Sequence, residues 1–245
     1  MVALYDTIGI DYANLRRPDP RIAAAIEAAL GDAESVVNIG AGAGSYEPVG
    51  KTVAAVEPSA EMIAQRPEGS APAYQGTAEA LPLDDKSVDA ALAILTVHHW
   101  GDLAAGLSEM RRVARKRAVL LTFDPDCRDA WLLDYLPALA ELDAEQMPAM
   151  EEYVRHLGPV SITTVPIPHD CIDGFLYAYW RRPQAYLDPR IRKGSSSFWK
   201  LDGLEAGLQR LEDDLASGAW EQAHAELMSA DSYDAGYRLV VAEFD

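Results

Sequence analysis

Three glycines at alternate positions follow a short apolar run in Val36-Val37-Asn38-Ile39-Gly40-Ala41-Gly42-Ala43-Gly44. Glycine accepts positive φ and leaves backbone bare for a ligand to approach. A tight turn at the carboxyl end of a parallel strand is also where open α/β sheets bind ligands. A second apolar run, Val53 to Val56, ends in Glu57. An acid about 20 residues beyond the glycine turn can accept both hydroxyls of an adenosine ribose. Glycines alone make only a turn, and a lone exposed Glu is solvated; at this spacing the two together predict a nucleoside site. The dinucleotide fingerprint G-x-G-x-x-G seats a pyrophosphate at a helix N-terminus. Here the spacing is G-x-G-x-G, and Ser45 stands at the position of the fingerprint's third glycine.

Other residue types add chemistry further along. His98 and His99, followed by Trp100, stand after a fourth predicted strand, and Asp124 ends a fifth. Histidine titrates where a proton-transfer group should; the competing reading makes the pair a packed strand-to-helix turn. Phe175, Tyr177, Tyr179, Trp180, Tyr186, Phe198 and Trp199 crowd residues 170–199. They read either as a lid over a small, partly apolar or aromatic ligand, or as packing for extra helices. Arg181, Arg182, Arg190 and Arg192 fit an acidic ligand or a solvated surface equally well. His169-Asp170-Cys171 has no further ligands at useful spacing, and Cys127 and Cys171 form neither a C-x-x-C pair nor a disulfide framework, so no metal is expected. His156 and His224 read as helix surface positions.

The elements that position these residues follow from hydrophobic period. Pro20 to Leu30 reads as a helix, opened by proline and ended by Gly31. Strands are predicted at 35–39, 51–56, within 86–96 and at 118–123, with a weaker one at 73–75. Helices are predicted at 58–66 and at 103–114, where Leu103, Leu107, Met110 and Val113 recur at helical spacing. That alternation indicates βαβ units and a parallel sheet covered on both faces. After Phe123 the rhythm changes: helices at 130–144 and 147–157, a strand at 160–165, an acidic amphipathic helix at 198–216 and a terminal strand at 236–244. Arg111, Arg112, Arg115, Lys116 and Arg117 cluster at a helix end, where cations favour the dipole.

The balance of 39 acidic against 21 basic side chains gives a net charge of −18. That excess argues against nucleic acid, whose phosphates need Lys and Arg, and against an anionic membrane surface. The longest apolar run, Ala90 to Val97, falls short of the roughly 20 residues a spanning helix needs. Residues 1–10 lack the basic start and apolar core of a secretory signal. These features lead us to expect a soluble, cytoplasmic protein.

Residues 36–47 resemble motif I of class I S-adenosylmethionine-dependent methyltransferases, and Glu57 matches that family's acidic ribose ligand. Thr77-Ala78-Glu79-Ala80-Leu81-Pro82-Leu83, then Ser87-Val88-Asp89, resembles the third-strand region of the branch containing the ubiquinone and menaquinone biosynthesis enzymes. So do His98-His99-Trp100, and Tyr5-Asp6 with Tyr12 and Arg16-Arg17-Pro18. The resemblance implies a Rossmann-like, doubly wound, seven-stranded, mostly parallel α/β sheet with an inserted helical, aromatic-rich cap. It implies one domain over residues 1–245: an N-terminal lid and first helix at 1–34, a cofactor-binding half at 35–125, and the rest of the sheet at 126–245 with the cap at about 169–232.

It also implies roles. Gly40, Ala41, Gly42 and Leu95 would line the methionine moiety of S-adenosylmethionine, Arg16 would pair with its carboxylate, and Tyr12 would close over the sulfonium. Glu57 would hold the ribose. Pro58 and Met62 would pack on the adenine, with Thr77, Ala78 and Glu79 at its edge. His98 and His99 are the catalytic candidates, and Tyr5, His98, Tyr177 and Trp180 the acceptor-binding ones. Asn38 and Thr77 stand where the family often has acids. The expected function is methyl transfer to a small organic molecule with S-adenosylhomocysteine as product. The alternatives are an NAD(P)-dependent oxidoreductase and a non-catalytic protein that binds S-adenosylmethionine.

Overall fold

The computed structural model describes residues 15–244. Tyr5 and Tyr12 therefore lie outside the described residues. The chain builds a seven-stranded sheet in the order β3-β2-β1-β4-β5-β9-β6. Its strands are β1 (Val36–Ile39), β2 (Thr52–Glu57), β3 (Ala73–Gln75), β4 (Val88–Ile94), β5 (Ala114–Phe123), β6 (Val160–Thr164) and β9 (Tyr237–Glu243). β1 to β5 pair in parallel, and β9 runs antiparallel between β5 and β6. A small separate ribbon pairs β7 (Ile167–Pro168) with β8 (Ser232–Tyr233). This is the expected Rossmann-like, mostly parallel sheet.

Successive strand residues serve opposite faces. Val36, Ala90, Leu92, Val119 and Leu121 pack with Ile22, Ile26 and Leu30 of helix α1 (Pro20–Leu30). Val37, Ile39, Ala91, Ala93 and Leu120 face the other layer. There they meet Leu107, Met110 and Val113 of α3 (Leu103–Val113) and Tyr153 and Leu157 of α6 (Met150–Leu157). Helix α2 (Ala60–Ala64) packs at β2 and β3. The chain leaves β1 toward β2 and β3, then returns to β4 on β1's other side. The carboxyl ends of β1 and β4 thus flank the crevice where strand order reverses, which is where such sheets bind ligands.

Local rules account for the boundaries. Asp19 caps α1, its carboxylate accepting from the Arg21 amide at 3.0 Å, with Pro20 at the first turn and Gly31 at φ +55° beyond the end. Asp102 caps α3 by accepting from the Ala105 amide. The predicted helix over 130–144 is two helices, α4 (Leu132–Tyr135) and α5 (Ala138–Gln146). Pro137 breaks it, because the residue before proline is driven out of the helical region; Leu136 sits at φ −127°, ψ 66°. The predicted helix over 198–216 opens instead as a 3₁₀ turn, Ser196–Trp199, and α8 begins at Leu204 and runs to Ser217.

Residues between β7 and β8 carry the aromatic-rich segment, including short helices α7 (Pro189–Arg192) and α9 (Ala219–Ala223). Trp131, at the start of α4, is the hub that ties this segment to that helix. Its ring lies 5.1 Å from Trp220, 5.6 Å from Tyr186 and 6.0 Å from Tyr135, all edge-on. Its Nε1 donates to the Trp180 carbonyl at 2.7 Å. Among the described residues no helix is long and apolar enough to cross a membrane.

Candidate functional site

The glycine turn fixes the floor of a cleft. Gly40 follows β1 at φ +64°, and a Cβ there would lie 2.0 Å from Thr96 Oγ1. The Gly40 and Ala41 amides donate to the Val56 carbonyl, and the Gly42 amide donates to Glu57 Oε2 at 2.8 Å. The turn's N–H groups thus hold the turn itself, and its value to a ligand is bare surface. The other Glu57 oxygen accepts from the Ser59 amide at 2.9 Å, the N-cap residue of α2. The carboxylate therefore locks the first two strand ends together.

Asn38 lies beneath the turn. Its Nδ2 donates to Glu47 Oε1 at 3.0 Å, and Glu47 is clamped by Arg66 at 2.7 Å. Among the described residues its Oδ1 is buried with no partner, as is Trp100 Nε1 elsewhere in the lining, and buried polar groups ordinarily find one. Opposite, Leu95 follows β4 at φ +49°, a strained value for a branched side chain, held by its amide's 2.8 Å bond to the Leu121 carbonyl. Glu79 accepts from the Gly101 and Asp102 amides at 2.6 and 3.1 Å, pinning the loop before α3. Burial opposes its ionisation, but hydrogen bonds from Thr77 and those amides outweigh it, and its pKa is lowered.

The cleft so framed encloses about 960 Å³ of space including its open mouth. Arg16, Gly40, Ala41, Gly42, Glu57, Pro58, Met62, Thr77, Ala78, Glu79 and Leu95, all singled out from the sequence, line it together with His99. Asn38, Ser45, Tyr46, Thr96 and Trp100 line it as well.

A second cavity, of about 500 Å³ including its open mouth, lies beside the first, and Arg16 and Leu95 line both. His98, Phe123, Asp143, Phe175, Tyr177 and Tyr237 wall it. Arg16 is held at the junction by a 2.6 Å ion pair with Asp173, a carboxylate 1 % exposed that also accepts from the Tyr46 hydroxyl at 2.9 Å.

His98 and His99 occupy one 3₁₀ turn (Val97–His99), with ring centroids 3.9 Å apart. The turn divides them, His98 toward the second cavity and His99 toward the first. Crowding by protein, with nearby positive charge, pushes the His98 pKa well below the ordinary value and that of His99 to about 4, so both imidazoles are neutral near pH 7.

Two sequence candidates are not brought here. Trp180 is buried in the packing beneath the cap, its Nε1 donating to the Ile167 carbonyl at 3.0 Å. It lines neither cavity. Asp124 lies in a shallow acidic depression outside both, 3.5 Å from Arg238. Four of the five basic residues are taken up in ion pairs, Arg112 with Glu109 and Asp85, Arg115 with Asp89, Lys116 with Asp32 and Arg117 with Asp32 and Glu243, while Arg111 donates to the Leu157 carbonyl and lies over the Phe244 ring. No cluster of potential metal ligands occurs among the described residues.

The sequence reading passed over Asp143. It sits among acids in α5, and its one signal is spacing: it falls four residues after Leu139, so both occupy the buried face.

Comparison with known proteins places this architecture. Residues 37–122 match the methyltransferase domain family. A crystal structure described as a methyltransferase from an antibiotic biosynthesis pathway of Anabaena variabilis is 37% identical, covers 93% of this chain and 98% of its own, and superposes with a TM-score of 0.86. A SAM-dependent methyltransferase of Thermotoga maritima, described as a possible histamine N-methyltransferase, is 15% identical with a TM-score of 0.61 and 98% of each chain covered, a likeness of fold. An uncharacterized methyltransferase of Mycobacterium tuberculosis is 41% identical over 91 residues, 34% of this chain and 36% of that protein. The match thus spans about a third of that curated relative's length.

Proposed function

The chain belongs to the class I S-adenosylmethionine-dependent methyltransferases, and from that membership we propose that it methylates a small organic molecule seated in the second cavity. One observation carries the reading: the glycine-turn cleft and the second cavity meet at Arg16 and Leu95. Bound S-adenosylmethionine supplies a sulfonium methyl, which an aligned acceptor takes by in-line displacement to leave S-adenosylhomocysteine, and alignment supplies much of the rate.

The residues present suit that cofactor. Asn38 Oδ1, without a partner among the described residues, is an acceptor for an ammonium group, which needs no acid at this position. Glu57, with one oxygen on the Gly42 amide and one on the Ser59 amide, would accept from the ribose hydroxyls. The floor at Gly40, Ala41 and Gly42 would admit the methionine chain at close range, with the Leu95 backbone opposite. Pro58 and Met62 would pack on the adenine, and Thr77, Ala78 and Glu79 would border its edge. Arg16, fixed by Asp173, would hold its charge toward the cofactor carboxylate at the junction of the cavities. Nicotinamide chemistry is set aside by the family membership.

A small acceptor is supported by the close aromatic walls of the second cavity, Phe123, Phe175, Tyr177 and Tyr237, and by the net charge of −18, which opposes a nucleic-acid acceptor. His98 faces that cavity and is neutral near pH 7, so it can take a proton from an acceptor that must lose one. The test is transfer of a labelled methyl from S-adenosylmethionine to a panel of phenols, amines, carboxylates and thiols. His98→Ala should lower turnover by roughly 10²-fold with S-adenosylhomocysteine affinity held within about twofold, and His99→Ala should act more weakly. No labelled product from the wild-type enzyme with any acceptor class would overturn the small-molecule reading. Full turnover in both variants would leave alignment as the sole contribution.

A further inference from the structure

The second cavity carries a carboxylate that no cation pairs with among the described residues. Asp143, on the inner face of α5, is 4 % exposed and lines the cavity. Its hydrogen bond is from the Tyr177 hydroxyl to Oδ2, at 2.7 Å. Among the described residues no Lys, Arg or His forms an ion pair with it, and Oδ1 takes no hydrogen bond. A buried carboxylate ordinarily has a cationic partner or a full set of donors. The other charged groups of the cavity do not provide one. Arg16 is paired with Asp173, and His98 is neutral. Arg128 approaches from outside, with its Nη1 bonded to the Ala140 carbonyl. Tyr177 and Tyr237 face Asp143 as neutral phenols, since burial drives both well above the ordinary tyrosine range.

Four aromatic rings, Phe123, Phe175, Tyr177 and Tyr237, share the wall with Leu95, Met147, Leu176 and the backbone and hydroxyls of residues 194–197. Phe123 stacks on Tyr177 at 5.3 Å, and Phe175 meets Tyr237 edge-on at 4.6 Å. Ring faces attract cations, and a dry aromatic wall strengthens that attraction. A single carboxylate among four rings is the complement of a small molecule with an apolar body and one cationic nitrogen.

We propose that the second cavity selects a small amine, with its ammonium group held by the Asp143 carboxylate and its body lying among Phe123, Phe175, Tyr177 and Tyr237. This rests on the second cavity being the acceptor site, and Asp143 is then a specificity-determining residue for the acceptor.

The selection carries a pH signature. Burial raises the Asp143 pKa to about 6, against lowering contributions from Tyr177 and Arg128. The ionised form binds an ammonium and the protonated form does not. Amine affinity should therefore be full above that value and fall as the pH drops through it, while the amine stays charged throughout.

The experiment is calorimetry on the protein saturated with S-adenosylhomocysteine, using phenethylamine, propylamine and tryptamine as probes and 2-phenylethanol as the uncharged control. At least one amine should bind, about tenfold more weakly at pH 5 than at pH 7.5, and roughly tenfold or more weakly in Asp143→Asn. The alcohol should change less than about twofold in either comparison. The pH series uses the wild-type protein, so it stands even where the variant fails to fold, and S-adenosylhomocysteine affinity reports whether the variant is intact. Absence of binding by all three amines, or amine affinity indifferent to both pH and Asp143, would overturn the proposal. Failure of S-adenosylhomocysteine itself to bind would overturn the reading of the first cleft instead, so the two failures are told apart in one series.

Discussion

Replacing Gly40 with alanine is expected to cost about 2–5 kcal/mol of folding stability and to remove measurable S-adenosylhomocysteine binding. Two effects combine. At φ +64° an L-residue bears a left-handed strain of about 1–2 kcal/mol. The added methyl would also lie 2.0 Å from Thr96 Oγ1 and 2.8 Å from its Cβ, an overlap that only backbone movement relieves, at about 1–3 kcal/mol. Because the Gly40 and Ala41 amides both bond the Val56 carbonyl, that movement would pull the turn from the end of β2 and shift Glu57 with it. Gly50 is the control: it has φ +76° but nothing within 4 Å of an added Cβ, so Gly50→Ala should show the strain alone and leave ligand affinity intact. Denaturant unfolding and calorimetry on both variants measure this. A Gly40→Ala protein that matches Gly50→Ala in stability and binds normally would show that the turn does not depend on close contact with Thr96.

Trp131→Ala is expected to be the most destabilising truncation among the residues that anchor the cap, at about 3–5 kcal/mol. The indole is 5 % exposed, sits edge-on to three aromatic rings, and its Nε1 bonds the Trp180 carbonyl at 2.7 Å. Truncation removes that burial, leaves a cavity between Trp220 and Tyr186, and orphans a buried carbonyl. Trp131 lines neither large cavity, so S-adenosylhomocysteine affinity should stay near wild type wherever the variant is folded. The midpoint and slope of urea unfolding give the number. A loss below about 1 kcal/mol would mean the aromatic segment is held elsewhere.

The parts of this architecture that were legible in the sequence are those governed by short-range rules. The strand-turn-strand unit from Val36 to Glu57 combines apolar runs, spaced glycines and a terminal acid, and each has a local physical cause. That unit alone led to the cleft. The N-terminal end of β5 was not legible. Ala114 to Arg117 carries three cations, which reads as a helix end; in the fold they run along the strand because Asp89, Asp32 and Glu243 neutralise them across the sheet edge.

The acceptor side was legible only as a region. Tyr177 and Trp180 lie three residues apart in one aromatic stretch, and nothing local distinguishes them. Tertiary contacts do: Tyr177 reaches the Asp143 carboxylate, whereas Trp180 reaches the Ile167 backbone. Arg16 matches a motif, whereas the buried Asp173 that fixes it lies far along the chain, beyond any spacing argument. Asp143 is one acid among several in a short helix, and its isolation becomes visible only when its surroundings are known.

A crystal structure of the protein with S-adenosylhomocysteine tests the central claim most directly, because that claim is about what stands on either side of the sulfur. The account predicts the ribose hydroxyls on Glu57, the amino group at Asn38 Oδ1, and the sulfur at the junction of Arg16 and Leu95, facing the cavity of His98, Tyr177 and Asp143. A ligand seated with its sulfur turned away from that cavity, or with its ribose remote from Glu57, would contradict it.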